Sequence, residues 1–322
     1  MGTIRKIGVL GQGHVGAHVA NSLLLQGVAD ELYLSDLDPK KLTAEVQDLR
    51  DGLAFCPHNC LIEGIGTDYE ALAQCDVIVN AAGKVALAAG DRDGELFWTT
   101  DTTRTYAARV ERAGFKGVWV TIANPCDVVA TEIWHLTGCD PTRVIGSGTA
   151  LDSSRFRNVL SAATGYDQKS IGCYMLGEHG ASQFACWSQV NFGGKPLGEL
   201  EAEDPGHFSF DKAKLEDDAR QGGYVTYAGK GCTEYAVADA ATRLVKAVVS
   251  NEHYITACST LLTGQYGEQG HFISIPCSIG AAGVERVFMP DLDAAEQEAF
   301  HSSCAHVRQN ISRLEWWDSE RA

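Results

Sequence analysis

The sequence predicts an α/β fold: a parallel sheet with helices on both faces, followed by a smaller α+β unit. Three observations carry this reading. Short Val/Ile-rich runs alternate with longer helical stretches over roughly the first 146 residues, a glycine-rich turn joins the first run to the first helix, and the second half changes to polar turns, helices and shorter strand candidates. Alternating β and α segments bury a parallel sheet between helices, because each crossover must return the chain to the same end of the sheet.

In chain order, Ile4 to Leu10 reads as a strand, Gly11-Gln12-Gly13-His14-Val15-Gly16 as a turn, and the segment through Leu25 as a helix that Gly27 can end. Leu32 to Ser35 is the next strand, and Pro39 opens a second helix. The run Asp76 to Ala82 is a buried strand, since it neither alternates nor reaches helical length. Phe97 to Arg112 is helical, Gly117 to Ile122 is a strand, and a helix runs on toward His135. In the second half, turns fall at Gly193-Gly194-Lys195-Pro196 and Glu203-Asp204-Pro205-Gly206, with helices over 211–220 and 235–249 and strands over 271–275 and 285–288. A closing helix is marked by the apolar stripe Phe300, Cys304, Val307, Ile311 and Leu314. The expected division is residues 1–146 and 147–322.

Composition removes several classes of function. A chain of 322 residues can bury a large core without staples, and no run nears the ~18 consecutive apolar residues of a membrane span. With 26 basic and 42 acidic residues, a net charge of −16, and no dense basic run, nucleic acid is not an expected partner. The start of the chain lacks the pattern of a secretory signal, so a cytoplasmic location is expected. Eleven cysteines occur without any C-x-x-C, which favours buried free thiols over disulfides or zinc, and no metal is expected.

The chemistry begins at the glycine turn. Gly11 permits the tight turn, Gly13 lets a pyrophosphate approach the backbone, and Gly16 lets the helix pack close to the strand, while the helix start offers unpaired N–H groups. Asp36, 20 residues after Gly16 and at the end of the second strand, can accept from both ribose hydroxyls. The same carboxylate would repel a 2′-phosphate, and no arginine lies among residues 35–38, so NAD is expected over NADP. These features make the first half a Rossmann-type dinucleotide-binding domain. Farther on, Asp152 and Arg155 lie three apart, and His179 stands in Gly177-Glu178-His179-Gly180. Together they offer a carboxylate, a guanidinium and an imidazole, the groups required for proton transfer and for holding an acid substrate.

An ordered set of blocks extends the pattern: the glycine turn, Asn124-Pro125-Cys126-Asp127, residues 144–149, the Asp152/Arg155 pair, Leu176 to Gly180, and Gly229 to Thr233. With these blocks the chain resembles, over nearly its whole length, the L-2-hydroxy acid dehydrogenases of the lactate and malate dehydrogenase superfamily. It looks closest to their L-2-hydroxyisocaproate dehydrogenase branch. The resemblance implies a catalytic α+β substrate domain over 147–322 and an NAD-dependent oxidoreductase interconverting (S)-2-hydroxy acids and 2-oxo acids by hydride transfer. In it His179 is the acid/base, Asp152 orients the imidazole, Arg155 clamps the substrate carboxylate and Arg92 polarises the carbonyl. Asn124 serves both substrate and nicotinamide, Thr233 and Val237 line the substrate pocket, and Gly11, Gln12, Gly13, His14, Val15, Gly16, Asp36, Ala82, Gly83 and Ser147 hold the cofactor.

The segment from Gly83 to Arg92 resembles the family's active-site lid. Ala86 occupies a position where lactate enzymes usually carry Gln and malate enzymes Arg, and Leu87 adds a second apolar side chain. This predicts a preference for medium-sized apolar side chains such as that of 2-oxoisocaproate. The alternatives are an L-lactate dehydrogenase of broad specificity and a non-catalytic dinucleotide-binding or sensing protein. Arg157 resembles part of the fructose-bisphosphate site of some bacterial lactate dehydrogenases, but Gly172 replaces its histidine partner, so activation by that ligand is not expected. A homotetramer or homodimer is implied by the resemblance.

Overall fold

The computed structural model describes residues 4–88, 93–314 and 317, and the backbone of residue 92. Its first half alternates strand and helix: β1 (Lys6–Leu10), α1 (His14–Leu25), β2 (Glu31–Ser35), α2 (Pro39–Gly52), β3 (Leu61–Gly64), β4 (Val77–Asn80), α3 (Leu96–Arg112), β5 (Val118–Thr121), α4 (Cys126–Thr137) and β6 (Val144–Gly146). The strands pair in parallel in the order β6-β5-β4-β1-β2-β3. β4, β5 and β6 are buried along their whole length, as strands covered on both faces by helices must be. The order reverses between β1 and β4, which opens a crevice at their carboxyl ends.

Local chemistry sets the boundaries of these elements. Gly27 follows α1 with φ +66°, a left-handed position glycine occupies without a Cβ clash. Asp38 caps α2, accepting from the backbone N–H groups of Lys40 and Lys41, and Pro39 supplies a fixed φ at the first helical position. β3 escaped the sequence reading because only Ile62 of its four residues is buried, as suits an edge strand with one covered face.

The second half opens with α5 (Ala150–Thr164), which carries Asp152 and Arg155. Five two-residue strands follow: β7 (Ile171–Gly172), β8 (Met175–Leu176), β9 (Phe184–Ala185), β10 (Asn191–Phe192) and β11 (Lys195–Pro196). Then come α6 (Leu197–Glu203), α7 (Pro205–Phe208), α8 (Lys212–Lys230), α9 (Tyr235–Val249), β12 (Tyr254–Thr263), β13 (Gln269–Gly280), β14 (Gly283–Val287) and α10 (Ala294–Ser312). α8 extends ten residues past the expected helix, straight through Gly222, Gly223 and Gly229. The three long strands are antiparallel, and β12 also meets β6 through Ser259 and Gly146. One nine-stranded sheet, β14-β13-β12-β6-β5-β4-β1-β2-β3, therefore runs through the point where the sequence suggested a division. The architecture is a Rossmann dinucleotide-binding unit followed by an α+β unit, as expected.

α10 packs the anticipated stripe. Phe300, Cys304, Val307, Ile311 and Leu314 are all buried in one apolar cluster with Ile273 and Ile275 of β13. Its start is fixed by a reciprocal cap between Asp293 and Glu296. The described cysteines are all free thiols; ten are buried and Cys56 is half-buried. Among the described residues no helix is long and apolar enough to cross a membrane.

Candidate active site

The glycine turn lies at the crevice between β1 and β4. A Cβ on Gly11, where φ is +84°, would stand 2.8 Å from the Ala81 carbonyl oxygen, and one on Gly16 would lie 1.8 Å from that of Gly11. Neither position admits a side chain. A Cβ on Gly13 would meet nothing within 4 Å, so this backbone faces open space at the start of α1. His14 is exposed, Val15 packs against the core, and buried Gln12 gives its Nε2–H to the Val9 carbonyl.

Asp36 sits above the turn. Its Oδ2 accepts the Gln12 N–H at 2.6 Å and its Oδ1 accepts the Asp38 N–H at 2.8 Å, so the carboxylate braces the loop as well as facing the crevice. A cavity of about 380 Å³ is lined here by Gly11, Gly13, Asp36, Ala82 and Gly83. After the end of β5, the Asn124 Oδ1 is buried without a hydrogen-bond partner, at the cis Asn124-Pro125 bond. Ser147 is buried, with its Oγ 3.8 Å from the Cys126 Sγ. A cradle closed to side chains at two glycines and open at the third, an acid at the ribose position and an orphaned amide oxygen fit a dinucleotide with a carboxamide head.

The groups expected to transfer the proton and hold the acid come from two places, α5 and the loop between β8 and β9. Asp152, in the first turn of α5, is 1% exposed. Its Oδ2 lies 2.5 Å from His179 Nδ1, and its Oδ1 accepts from Arg155 Nη1 at 2.6 Å. With Nδ1–H donated to the carboxylate, the imidazole carries its lone pair on Nε2, the tautomer of a general base. Arg155 has room because Gly222 of α8 faces it: a Cβ there would stand 3.4 Å from Arg155 Cδ.

Two neighbours of His179 were not assigned roles from sequence. Buried Asp127, in the first turn of α4, accepts the His179 backbone N–H at 2.8 Å. Burial pushes its carboxyl up to about 7. On the other side, Glu178 is bridged to His306 of α10, 3.3 Å away, and His306 Nε2 also lies 2.8 Å from Asp93. Burial alone would raise the Glu178 carboxyl, but hydrogen bonds from His306 and Ser182 hold it below its usual value. The hydrogen bond to Glu178 lifts His306 to about 9, against the desolvation of its ring. Asp127 and Glu178 both lie inside quoted sequence blocks, but their contacts depend on folds made by distant residues.

The remaining assignments are less convergent. Ala86 and Leu87 lie on an exposed 3-10 turn, Val85–Leu87, outside any apolar cluster. That turn is anchored behind by Glu95, which accepts the Lys84 N–H at 2.5 Å; burial raises the Glu95 carboxyl. The Arg92 side chain lies outside the described residues, and its backbone begins a 3-10 turn leading into α3. Thr233 occupies the loop between α8 and α9, and Val237 leans on the core cluster that also contacts Val15.

Both halves of the chain are similar to known proteins. Residues 5–146 match the lactate/malate dehydrogenase NAD binding domain, and residues 149–315 match the lactate/malate dehydrogenase alpha/beta C-terminal domain. An L-lactate dehydrogenase of Fusobacterium nucleatum subsp. nucleatum is 37% identical over 95% of this chain and 96% of its own. L-lactate dehydrogenase 1 of Bifidobacterium longum subsp. longum is 34% identical over 96% of this chain and 98% of its own. The crystal structure of a minor L-lactate dehydrogenase from Enterococcus mundtii, in a ligands-bound form, superposes with a TM-score of 0.92 at 31% identity, covering 97% of this chain and 99% of that one. These relatives overturn the expected placement in the L-2-hydroxyisocaproate dehydrogenase branch, since they are L-lactate dehydrogenases. The lid residues Ala86 and Leu87 suggested that branch, yet two apolar positions on an exposed turn carry less information than similarity across the whole chain. With a cradle for the dinucleotide, a histidine–aspartate–arginine chain beside it and matches spanning both halves, the protein is an NAD-dependent dehydrogenase that belongs to the lactate/malate dehydrogenase family.

Proposed function

We propose that the protein interconverts (S)-lactate and pyruvate, with tolerance for longer apolar 2-oxo acids. The observation that carries this reading is the chain from His179 through Asp152 to Arg155, in a protein similar along its length to L-lactate dehydrogenases. Bound NAD supplies the hydride acceptor for C2 in the oxidation direction and, as NADH, the donor in reduction. His179 Nε2 takes the hydroxyl proton during oxidation and returns it during reduction. Asp152 holds the ring in the required tautomer and stabilises its charged form.

Arg155 holds the substrate carboxylate with the donors not engaged by Asp152, as a fork that fixes the plane of the acid. Arg92 donates to the carbonyl oxygen where negative charge develops. The Asn124 amide bridges substrate and carboxamide, Thr233 and Val237 wall the pocket, and Asp36 reads the ribose. Ala86 and Leu87 provide no cation for a second carboxylate, which disfavours oxaloacetate, and their apolar surface admits side chains longer than methyl. In solution the chain is a homodimer or homotetramer of cytoplasmic location.

The test is steady-state kinetics with NADH on a set of 2-oxo acids. Pyruvate should give the highest kcat/KM, 2-oxoisocaproate should remain within about a hundredfold of it, and oxaloacetate should be poor. A tenfold or greater advantage for either of the other two acids would overturn the lactate reading. Arg155→Lys keeps the charge but loses the paired donors, so kcat/KM for pyruvate should fall by at least about 100-fold with NADH binding preserved.

A further inference from the structure

Away from the dinucleotide crevice, α10 packs against the turn end of the β12–β13 hairpin, and three side chains of different donor type converge there. Glu268 precedes β13, His271 is on β13 and Cys304 is on α10; one ligand atom from each lies within 4.8 Å of the other two. His271 is 1% exposed, and its Nε2 is buried with no hydrogen-bond partner. Its Nδ1 is 3.1 Å from the Gln269 carbonyl oxygen, so an N–H donated there leaves the lone pair on Nε2. This is how a metal-binding histidine is oriented from behind. An imidazole nitrogen left unpaired in the interior is costly unless something occupies the position facing it.

We propose that Glu268, His271 and Cys304 bind one divalent transition-metal ion of the zinc type, which clips α10 to the hairpin. The donor set is one sulfur, one nitrogen and one oxygen, which suits zinc and gives magnesium or calcium a single hard ligand. Tetrahedral zinc places its ligand atoms roughly 3.3–3.6 Å apart, so separations up to 4.8 Å close with small side-chain movements. On binding, the Cys304 thiol loses its proton to solvent, and the thiolate and the Glu268 carboxylate together neutralise the ion. Glu268 is held from outside by His301 Nδ1 at 2.8 Å and by Arg308, which orient the carboxylate while leaving it a free lone pair. The fourth position opens toward a cavity of about 610 Å³ lined by Gln269, His271, Arg308 and Ile311, where a water can enter.

Among the described residues two other clusters can compete for metal. His14, Cys232 and Glu234 form one, but its Glu234 already pairs with Lys230 and His14 is 70% exposed; Asp93, Glu178 and His306 form another that has no sulfur. The experiment therefore reads sulfur ligation. Full-length protein, stripped with chelator, is titrated with Co²⁺ and then Zn²⁺. One thiolate-to-cobalt charge-transfer band per chain is expected, displaced by one equivalent of zinc, and zinc at about 100 times its Kd should raise Tm by roughly 3 °C or more.

Cys304→Ser and His271→Asn should each weaken zinc binding by at least about 100-fold, and Glu268→Gln by about tenfold, while Cys232→Ser leaves the titration unchanged. NADH binding checks that each variant is folded. If the two buried variants do not fold, Glu268→Gln against Cys232→Ser decides. Absence of the band, a band lost in Cys232→Ser, or an unaltered titration in Glu268→Gln would overturn the site.

Discussion

His179 is restrained at two atoms, through Nδ1 by Asp152 and through its backbone N–H by Asp127, so its ring is presented in one orientation. Asparagine preserves a donor near Nδ1 but cannot exchange a proton at the Nε2 position. His179→Asn should lose at least about 100-fold in kcat, with NADH affinity within a few-fold, as measured by steady-state kinetics and fluorescence titration. His179, Asp152 and Arg155 stood out in sequence because these residue types occur inside ordered blocks, and the structure brings the three together. Asp127 was not, although it stands in such a block, since a carboxylate acquires its meaning from whatever strand or loop is folded against it. Ala86 and Leu87 misled for the complementary reason: their apolarity is plain, but which way an exposed turn presents them is not written in the residues.

α10 shows how much an element can say and withhold. Its apolar stripe was readable by periodicity, and the buried face follows it. Its polar face was not, and there His306 joins Glu178, the neighbour of His179, to Asp93 in the 3-10 turn before α3. The pKa of His306 is raised from 6.5 to about 9 in the folded protein, so its charged pairs stabilise fully below about pH 6.5 and fade as pH rises through 9. Tm measured from pH 6.5 to 10 should fall across this window, and His306→Gln should flatten that part of the curve while lowering Tm at pH 6.5. A profile of unchanged slope in the variant would assign the pH dependence elsewhere. β12 was missed altogether, because its sequence YITACSTLLT mixes small, polar and apolar residues without alternation; it is recognisable only once β6 and β13 flank it.

For the molecule as a whole, the place where β6 meets β12 is the narrowest join. A Cβ on Gly146 would stand 2.6 Å from the Ser259 Cβ and 3.0 Å from the Cys126 Sγ, so this glycine sets how closely the parallel and antiparallel parts approach. Gly146→Ala should destabilise the protein by about 1–3 kcal/mol, seen as a lower urea midpoint at unchanged m-value, through overpacking in a fully buried strand. The fold class and the order of elements from β1 to α4, β3 apart, could be read from hydrophobic runs and turn residues, while β6, α5 and β12 could not. The continuity of the sheet could not, since it depends on a single long-range pairing that leaves no periodic trace.

That continuity has a consequence for anyone who cuts the gene in two. A fragment ending at residue 146 would leave β6 as a terminal strand whose Val144 and Ile145, fully buried in the intact protein, border an unpaired ribbon of backbone N–H and C=O groups. A short apolar edge of this kind is a template for self-association. The nucleotide-binding half carries all six parallel strands of the sheet, yet in isolation it is expected to be adhesive, and co-expression with the other half is the means of keeping it dispersed.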